Sequence, residues 1–330
     1  TVVVRPGEDI QAAIDSLPDE GGCVCLKVGD HEIQAPIRIE KSHVSLHGET
    51  LGARVVRTDG PELLRIAHPD GLLLEHVTVS GISFELERKG SQGQVMQAMV
   101  AMDRCRNTSV ERCVLHARAL SRIAGMIITR CNDVSVMNCL VDNVQYGLWT
   151  AADTTGLTVA GNSFDATNGK KSDGGLVGLL LQDVSFPARI EENRVLGFVF
   201  GIVLNNGLFT GVPFSLAAGS RIAGNYIVRL GAQVEAGTLK AFGIDVAADD
   251  CVICDNILLY ASVEYGGIAV SGRNAVVERN QLRSILKEAG AVRPIALRLA
   301  RVGGKGSLGT IGGRVAGNTV LGVQEGIVVI

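Results

Sequence analysis

Ile190-Glu-Glu-Asn-Arg-Val-Leu-Gly-Phe-Val-Phe-Gly-Ile-Val-Leu204 holds the two elements that decide the fold: a short apolar strand closed by Asn193, and a second apolar strand of the form Gly-Ile-x-Val. The first element recurs as Val159-Ala-Gly-Asn162, Ile222-Ala-Gly-Asn225, Ile253-Cys-Asp-Asn256, Val277-Glu-Arg-Asn280 and Val315-Ala-Gly-Asn318, with Val136-Met-Asn-Cys139 carrying Cys in place of Asn. From Cys139 to Asn318 the copies lie 23, 31, 32, 31, 24 and 38 residues apart. The second element recurs between them, at Gly147-Leu-Trp-Thr150, Gly178-Leu-Leu-Leu181, Gly243-Ile-Asp-Val246, Gly267-Ile-Ala-Val270 and Gly326-Ile-Val-Val329. A repeat of this length is the mark of a solenoid, in which each unit buries its apolar face only against its neighbours.

Alternation in both strands sends every second side chain to the interior. Asn enters the left-handed backbone region more readily than most residues, so it suits a tight corner between strands. Stacked amides can also hydrogen-bond from coil to coil, at about 1 kcal/mol net per bond. A coil of strand, Asn corner, strand, loop, strand and loop is a rung of a parallel β-helix. The phase extends backwards, because Arg104-Cys-Arg-Asn-Thr-Ser-Val-Glu-Arg-Cys-Val-Leu115 matches Arg130-Cys-Asn-Asp-Val-Ser-Val-Met-Asn-Cys-Leu-Val141 at an offset of 26. Roughly ten coils are expected; at about 4.8 Å per coil they give a rod about 50 Å long.

At the N-terminus, Ile10, Ala13, Ile14 and Leu17 fall on one helical face, Asp9 is positioned as an N-cap, and Gly21-Gly22 ends the element. A short amphipathic helix here would cover the apolar end of the solenoid, as terminal repeats must. Together, Val3-x-Arg-Pro-Gly-x-x-Ile-Gln-x-Ala-Ile-Asp15, Pro36-Ile-x-Ile39, Val44-Ser-Leu-His-Gly-Glu49 and the two repeating elements resemble the pectate-lyase-like superfamily. The resemblance covers nearly the whole chain and implies an all-β, right-handed parallel β-helix. It does not select an activity, since that superfamily includes lyases, hydrolases, epimerases and non-catalytic spike and stalk domains.

No linker, charge block or low-complexity stretch divides the 330 residues. One domain is expected over 1–330, with cap and first strand in 1–30 and coils in 31–330. The chain starts at Thr1 and stops inside a Gly-Ile-Val-Val strand, which suggests a piece of a longer protein. A net charge of −3 with no basic stripe excludes nucleic acid as a partner class. No apolar run is long enough for a transmembrane helix, and no signal peptide is visible.

Eight cysteines could form disulfides, but Cys105 with Cys131 and Cys113 with Cys139 stack in adjacent coils as small apolar fillers. Cys23 and Cys25 share one strand face, while no pair of Cys-x-x-Cys motifs occurs, so no metal site is expected. His43 and His47 straddle one strand and read as a corner and a surface position. Free thiols favour synthesis in the cytoplasm, with any export coming later as part of a larger assembly; the final location is left unassigned.

In the superfamily resembled, substrate clefts usually lie on the outer face of the strand matching Gly-Ile-x-Val. With Leu148, Leu179, Ile202, Ile244, Ile268 and Ile295 facing in, this chain presents an apolar stripe there: Ile127, Trp149, Leu180, Val203, Ala269, Ala296 and Val328. A bare stripe of that size marks a binding or assembly surface. Insertions at 165–174, 230–241 and 284–292 project from one edge, and those at 206–220 and 300–313 from the other, walling a groove. Trp149, Gln182, Asn205 and Ser271 are the candidate ligand-binding residues along it.

The face is poor in carboxylates. A glycoside hydrolase needs an acid and a base flanking the scissile bond, yet only Asp245 stands there, with Asp249 and Asp250 beyond its strand. The nearest approach to a lyase or epimerase acting on a uronate polysaccharide is Asp245 with Arg298 or Lys240, and only such a lyase would call for Ca2+. The leading expectation is therefore a β-helix module of a larger, oligomeric protein, binding a polysaccharide or a protein partner along the groove and able to self-associate, for instance as a homotrimer. No cofactor is expected for it.

Overall fold

The computed structural model describes residues 1–58, 60, 62–87, 97–167, 175–185, 187–204, 217–229, 241–260, 265–284, 295–300, 312–322 and 325–329. Side chains at 119–122, 229, 241, 260, 265–266, 284, 295–300 and 325–329 fall outside that description. After the strand Val2–Val4 the described residues wind through eleven coils of three strand segments each, opening with Gly22–Leu26 and ending with the coil that starts at Arg314–Ala316. Every strand pairing among the described residues is parallel, and each joins one coil to the next, as between Ile190 and Ile222, Ile222 and Ile253, and Ile253 and Val277. This is a parallel β-helix, of the right-handed kind that parallel strand connections adopt.

Each coil has three faces. The first face forms a 15-stranded sheet, while the second and third faces form one 20-stranded sheet that bends around their shared corner. Inward residues stack in unbroken columns: Val159, Ile190, Ile222, Ile253 and Val277 on the first face, and Phe164, Val195, Ile227, Leu258 and Leu282 on the second. All ten are at most 4% exposed, and they belong to one core running the length of the described coils. Burying one such side chain is worth about 1.5–3 kcal/mol, repeated coil after coil.

At the corner between the first and second faces the amides form the expected ladder, but the backbone strain lies elsewhere. The left-handed residues are those just before the ladder: Asn138, Gly161, Glu192, Gly224, Asp255, Arg279 and Gly317, with φ between 54° and 65°. The Asn residues themselves are not left-handed; they turn inward past the corner, where Asn162, Asn193, Asn225, Asn256 and Asn280 are at most 1% exposed. The preceding side chain points to solvent, so charged residues are tolerated there. Each inner amide spans three coils. Asn193 Nδ2, for example, donates backward to Val159 O (2.8 Å) and forward to Asn225 Oδ1 (3.0 Å). At the N-terminal end of the ladder, Cys139 N donates to Asn162 Oδ1 at 2.8 Å, and its thiol takes the place of an amide.

The helix Ile10–Asp15 caps the first coil. Asp9 Oδ1 accepts from Gln11 N (2.8 Å) and Ala12 N (3.1 Å), and Ile10, Ala13, Ile14 and Leu17 join the core. All eight cysteines are free, and six are buried.

Candidate functional site

The outward row of the third face is in register as Ile127, Trp149, Leu180, Val203, Asp245 and Ala269, and the backbone register continues through Arg298 and Val328. Ile268 pairs with Leu297, so the register position expected for Ile295 falls at Leu297. That shift of two residues puts Arg298, rather than Ala296, in the row of Asp245, two coils away. Alternation alone could not reveal the shift, because residues two apart share a face.

The apolar stripe is not bare. Leu180 and Val203 are 1% and 0% exposed, and with Val177 and Phe200 they form a second apolar cluster separate from the core. Tyr146 and Trp149 pack against it. Strict alternation would place Tyr146, Val177 and Phe200 inside, with Leu148, Leu179 and Ile202. The glycine of each Gly-Ile-x-Val strand breaks the alternation, so residues three apart emerge on the same outer side. Glycine is required there because inward side chains of the second face press against the backbone. A Cβ on Gly201 would collide with Gly243 O and lie 2.8 Å from Ile227 Cγ2; one on Gly243 would lie 2.6 Å from Leu258 Cδ2.

Trp149 and Gln182, two of the expected ligand-binding residues, come together. Trp149 Nε1 donates to Gln182 Oε1 at 3.1 Å. Thr150 Oγ1 donates to Gln182 O at 2.9 Å and fixes the strand end that carries it. Gln182 is only 4% exposed, and its Nε2 has no hydrogen-bond partner among the described residues. Tyr146 completes the group. Its ring lies 5.3 Å from that of Trp149 at 33°, both rings are half-buried, and burial raises the pKa of the phenol. Tyr146 was missed in the sequence because the parity change at Gly147 was not allowed for; the i, i+3 spacing of two aromatics across a glycine was the available signal. Ser271 lies half-buried two residues beyond the row, whereas Asn205 and Lys240 lie outside the described residues.

Asp245 is 6% exposed in the same row, and it is engaged by other groups of the chain. Its neighbours in sequence do not join it. Arg273 N and Nη2 donate to Asp249 at 2.7 and 2.8 Å, and Asn274 Nδ2 donates to Asp250 Oδ1 at 3.0 Å. Burial opposes ionisation of Asp249, but the amide and guanidinium of Arg273 outweigh it and hold the carboxyl below its ordinary range. The described part of this face therefore offers an aromatic pair and an unpaired amide donor, which suit a ligand with flat apolar faces and hydrogen-bond acceptors.

A further titratable group lies on the second face. His116 Nδ1 is 2.7 Å from Asp142 Oδ1, and Asp165 follows Asp142 in register. Burial, above all, raises the Asp142 pKa against the opposing pull of His116.

No protein-family model matches the sequence, and no curated protein matches it. Solved structures do resemble the fold. PfbA, a surface protein and adhesin of Streptococcus pneumoniae, superposes with a TM-score of 0.63 at 13% identity, over 99% of this chain and 97% of that one. DFA-IIIase from Arthrobacter chlorophenolicus A6 gives 0.58 at 12% identity, over 91% and 84%. ORF18 of Geobacillus virus E2 gives 0.57 at 15% identity, over 92% of this chain; the chain spans 62% of that protein's length. At these identities the likeness concerns the fold.

Proposed function

We propose that the chain is a carbohydrate-binding β-helix module of the pectate-lyase-like superfamily, and that Tyr146, Trp149 and Gln182 form its sugar subsite. The observation that carries this reading is the half-buried aromatic pair beside the unpaired Gln182 Nε2. A sugar ring stacks its C–H face on such a platform, and a ring or hydroxyl oxygen accepts from the amide, a buried donor without an acceptor among the described residues. The adhesin and the enzyme among the structural neighbours make this fold compatible with either binding or turnover. The engagement of Asp249 and Asp250 by Arg273 and Asn274 favours binding, because it commits both neighbouring carboxylates to partners other than Asp245. Self-association through the same face, as a homotrimer, and attachment to a larger protein belong to this reading. Eight free thiols support synthesis in a reducing compartment.

Trp149 is the only Trp, so its emission reports on this subsite alone. Neutral and uronate oligosaccharides are titrated against the chain while that emission is followed. At least one is expected to shift it, with a tenfold or greater loss of affinity in Gln182→Ala at unchanged circular dichroism. If no oligosaccharide moves the emission, the glycan reading fails. If oligosaccharides are cleaved and Asp245→Asn abolishes the cleavage, the enzyme reading replaces it.

A further inference from the structure

The outer side of the first face repeats one chemistry over five coils. Ser45, Thr78, Ser109, Ser135 and Thr158 follow one another in register. In the coil before Ser45 the same position is Cys23. Two residues on, Cys25 projects from the same face and is in register with His47. These are the only two of the eight cysteines that are not buried. The His47 ring is turned toward the diagonal thiol, with Nδ1 3.3 Å from Cys23 Sγ.

Three chemistries could use such a group. A disulfide between Cys23 and Cys25 is excluded by geometry. Residues two apart on a strand carry nearly parallel Cα–Cβ bonds, so their Cβ atoms stand about 6.6 Å apart, against about 3.8 Å in a disulfide. Nucleophilic turnover lacks an oxyanion site, because the neighbouring backbone N–H groups are committed to the sheet. Metal ligation fits. Bonds of about 2.3 Å to sulfur and 2.05 Å to nitrogen at a tetrahedral ion separate the two donors by about 3.6 Å, close to the spacing of this pair.

The geometry points to a site for a borderline-soft divalent d-block ion of the zinc class, held by Cys23 and Cys25 thiolates and His47 Nδ1. As the side chains stand, no three donors among the described residues converge on one point. Cys23 and His47 are the preformed pair, and Cys25, in register with His47, is the third donor of the proposed set. Each thiol gives up its proton and bonds the ion through the electron pair left on sulfur, so one dication displaces two protons and nothing is oxidised or reduced. Water fills the fourth position on this open face. The bound ion ties the first coil to the second just behind the capping helix. Sequence spacing concealed the set because its nitrogen donor lies 22 residues after Cys25, in the adjacent coil. The inference is independent of the glycan reading, since it concerns another face.

Co2+ is the probe, titrated into the reduced full chain. One equivalent is expected to produce a thiolate-to-cobalt charge-transfer band that Zn2+ abolishes, with two protons released per Zn2+ bound. Cys23→Ser, Cys25→Ser and His47→Ala should each weaken Co2+ binding at least tenfold, and Zn2+ should raise the melting temperature of the wild type only. These substitutions fall on partly exposed positions, and circular dichroism checks that each variant remains folded. His43→Ala should change nothing, although His43 stacks on His76 at 5.0 Å and is the rival imidazole pair. The proposal is overturned if Co2+ binds without a thiolate band, if Cys23→Ser binds as tightly as wild type, or if His43→Ala removes the site.

Discussion

Asn193 donates to Asn225 twice: its backbone N and its side-chain Nδ2 both reach Asn225 Oδ1, each at 3.0 Å. One acceptor thus serves two buried donors of the coil before it. The same pair of hydrogen bonds links Asn162 to Asn193, Asn225 to Asn256, Asn256 to Asn280 and Asn280 to Asn318.

Replacing Asn225 by Ala should therefore cost more than one hydrogen bond. Two buried donors on Asn193 lose their acceptor, at about 1–3 kcal/mol each, and the bonds donated by Asn225 Nδ2 vanish, while its backbone N–H keeps Asn256 Oδ1. Urea unfolding should show a loss of about 2–4 kcal/mol. Asn318→Ala, at the part-buried last rung, should cost less. Equal, small losses for both would mean that the ladder contributes little.

Gly201→Ala tests the crowded corner. The added methyl meets Gly243 O and Ile227, so a loss of about 3 kcal/mol or more is expected, with poor expression. Gly7→Ala is the control. Its φ of +87° is strained for Ala, but nothing lies within 4 Å of the new methyl, so only about 1 kcal/mol should be lost.

Two carboxylates should titrate in opposite senses. The folded-state pKa of Asp249 is lowered, so its contribution is present above 3.8 and lost as pH falls through the folded value. Asp249→Asn should destabilise at neutral pH and become neutral in strong acid. The folded-state pKa of Asp142 is raised, so its charge penalises folding as pH climbs from 3.8 through the folded value. Asp142→Asn should stabilise at neutral pH and do nothing in strong acid. Parallel pH–stability curves for the two variants would contradict both assignments.

Native alkylation followed by mass spectrometry should modify Cys23 and Cys25 and spare the other six cysteines. Cys105, Cys131 and Cys251 are 0% exposed, and burial pushes the Cys251 thiol up to about 12. Modification of Cys113 or Cys139 without denaturant would show that the ladder corner opens.

The rod was legible because its signals are local and periodic. Alternation at Ile190 and Ile202, a corner residue every coil and an N-cap at Asp9 each depend on a few neighbouring residues. The corner was misplaced by one position, since an Asn preference for left-handed backbone cannot be told from a need for a buried amide one residue later. Stacking the repeats placed Trp149 and Gln182 on one outer face, while their hydrogen bond runs diagonally, since Trp149 stands in register with Leu180. It did not place Tyr146 there, because a parity change at Gly147 depends on pressure from Phe164 in another strand. The burial of Leu180 and Val203 was out of reach for the same reason. Val177 and Phe200 cluster with them on the outer side, where strict alternation does not place those two residues.

The three-coil reach of each ladder amide also bears on how the rod would carry a load. Its links lie one after another along the long axis, so tension applied to the two ends passes through them in series instead of sharing across them in shear. The coil with the weakest clamp yields first and the neighbouring coils follow, which gives stepwise lengthening at modest force where a sheet pulled along its strands would hold and then break at once.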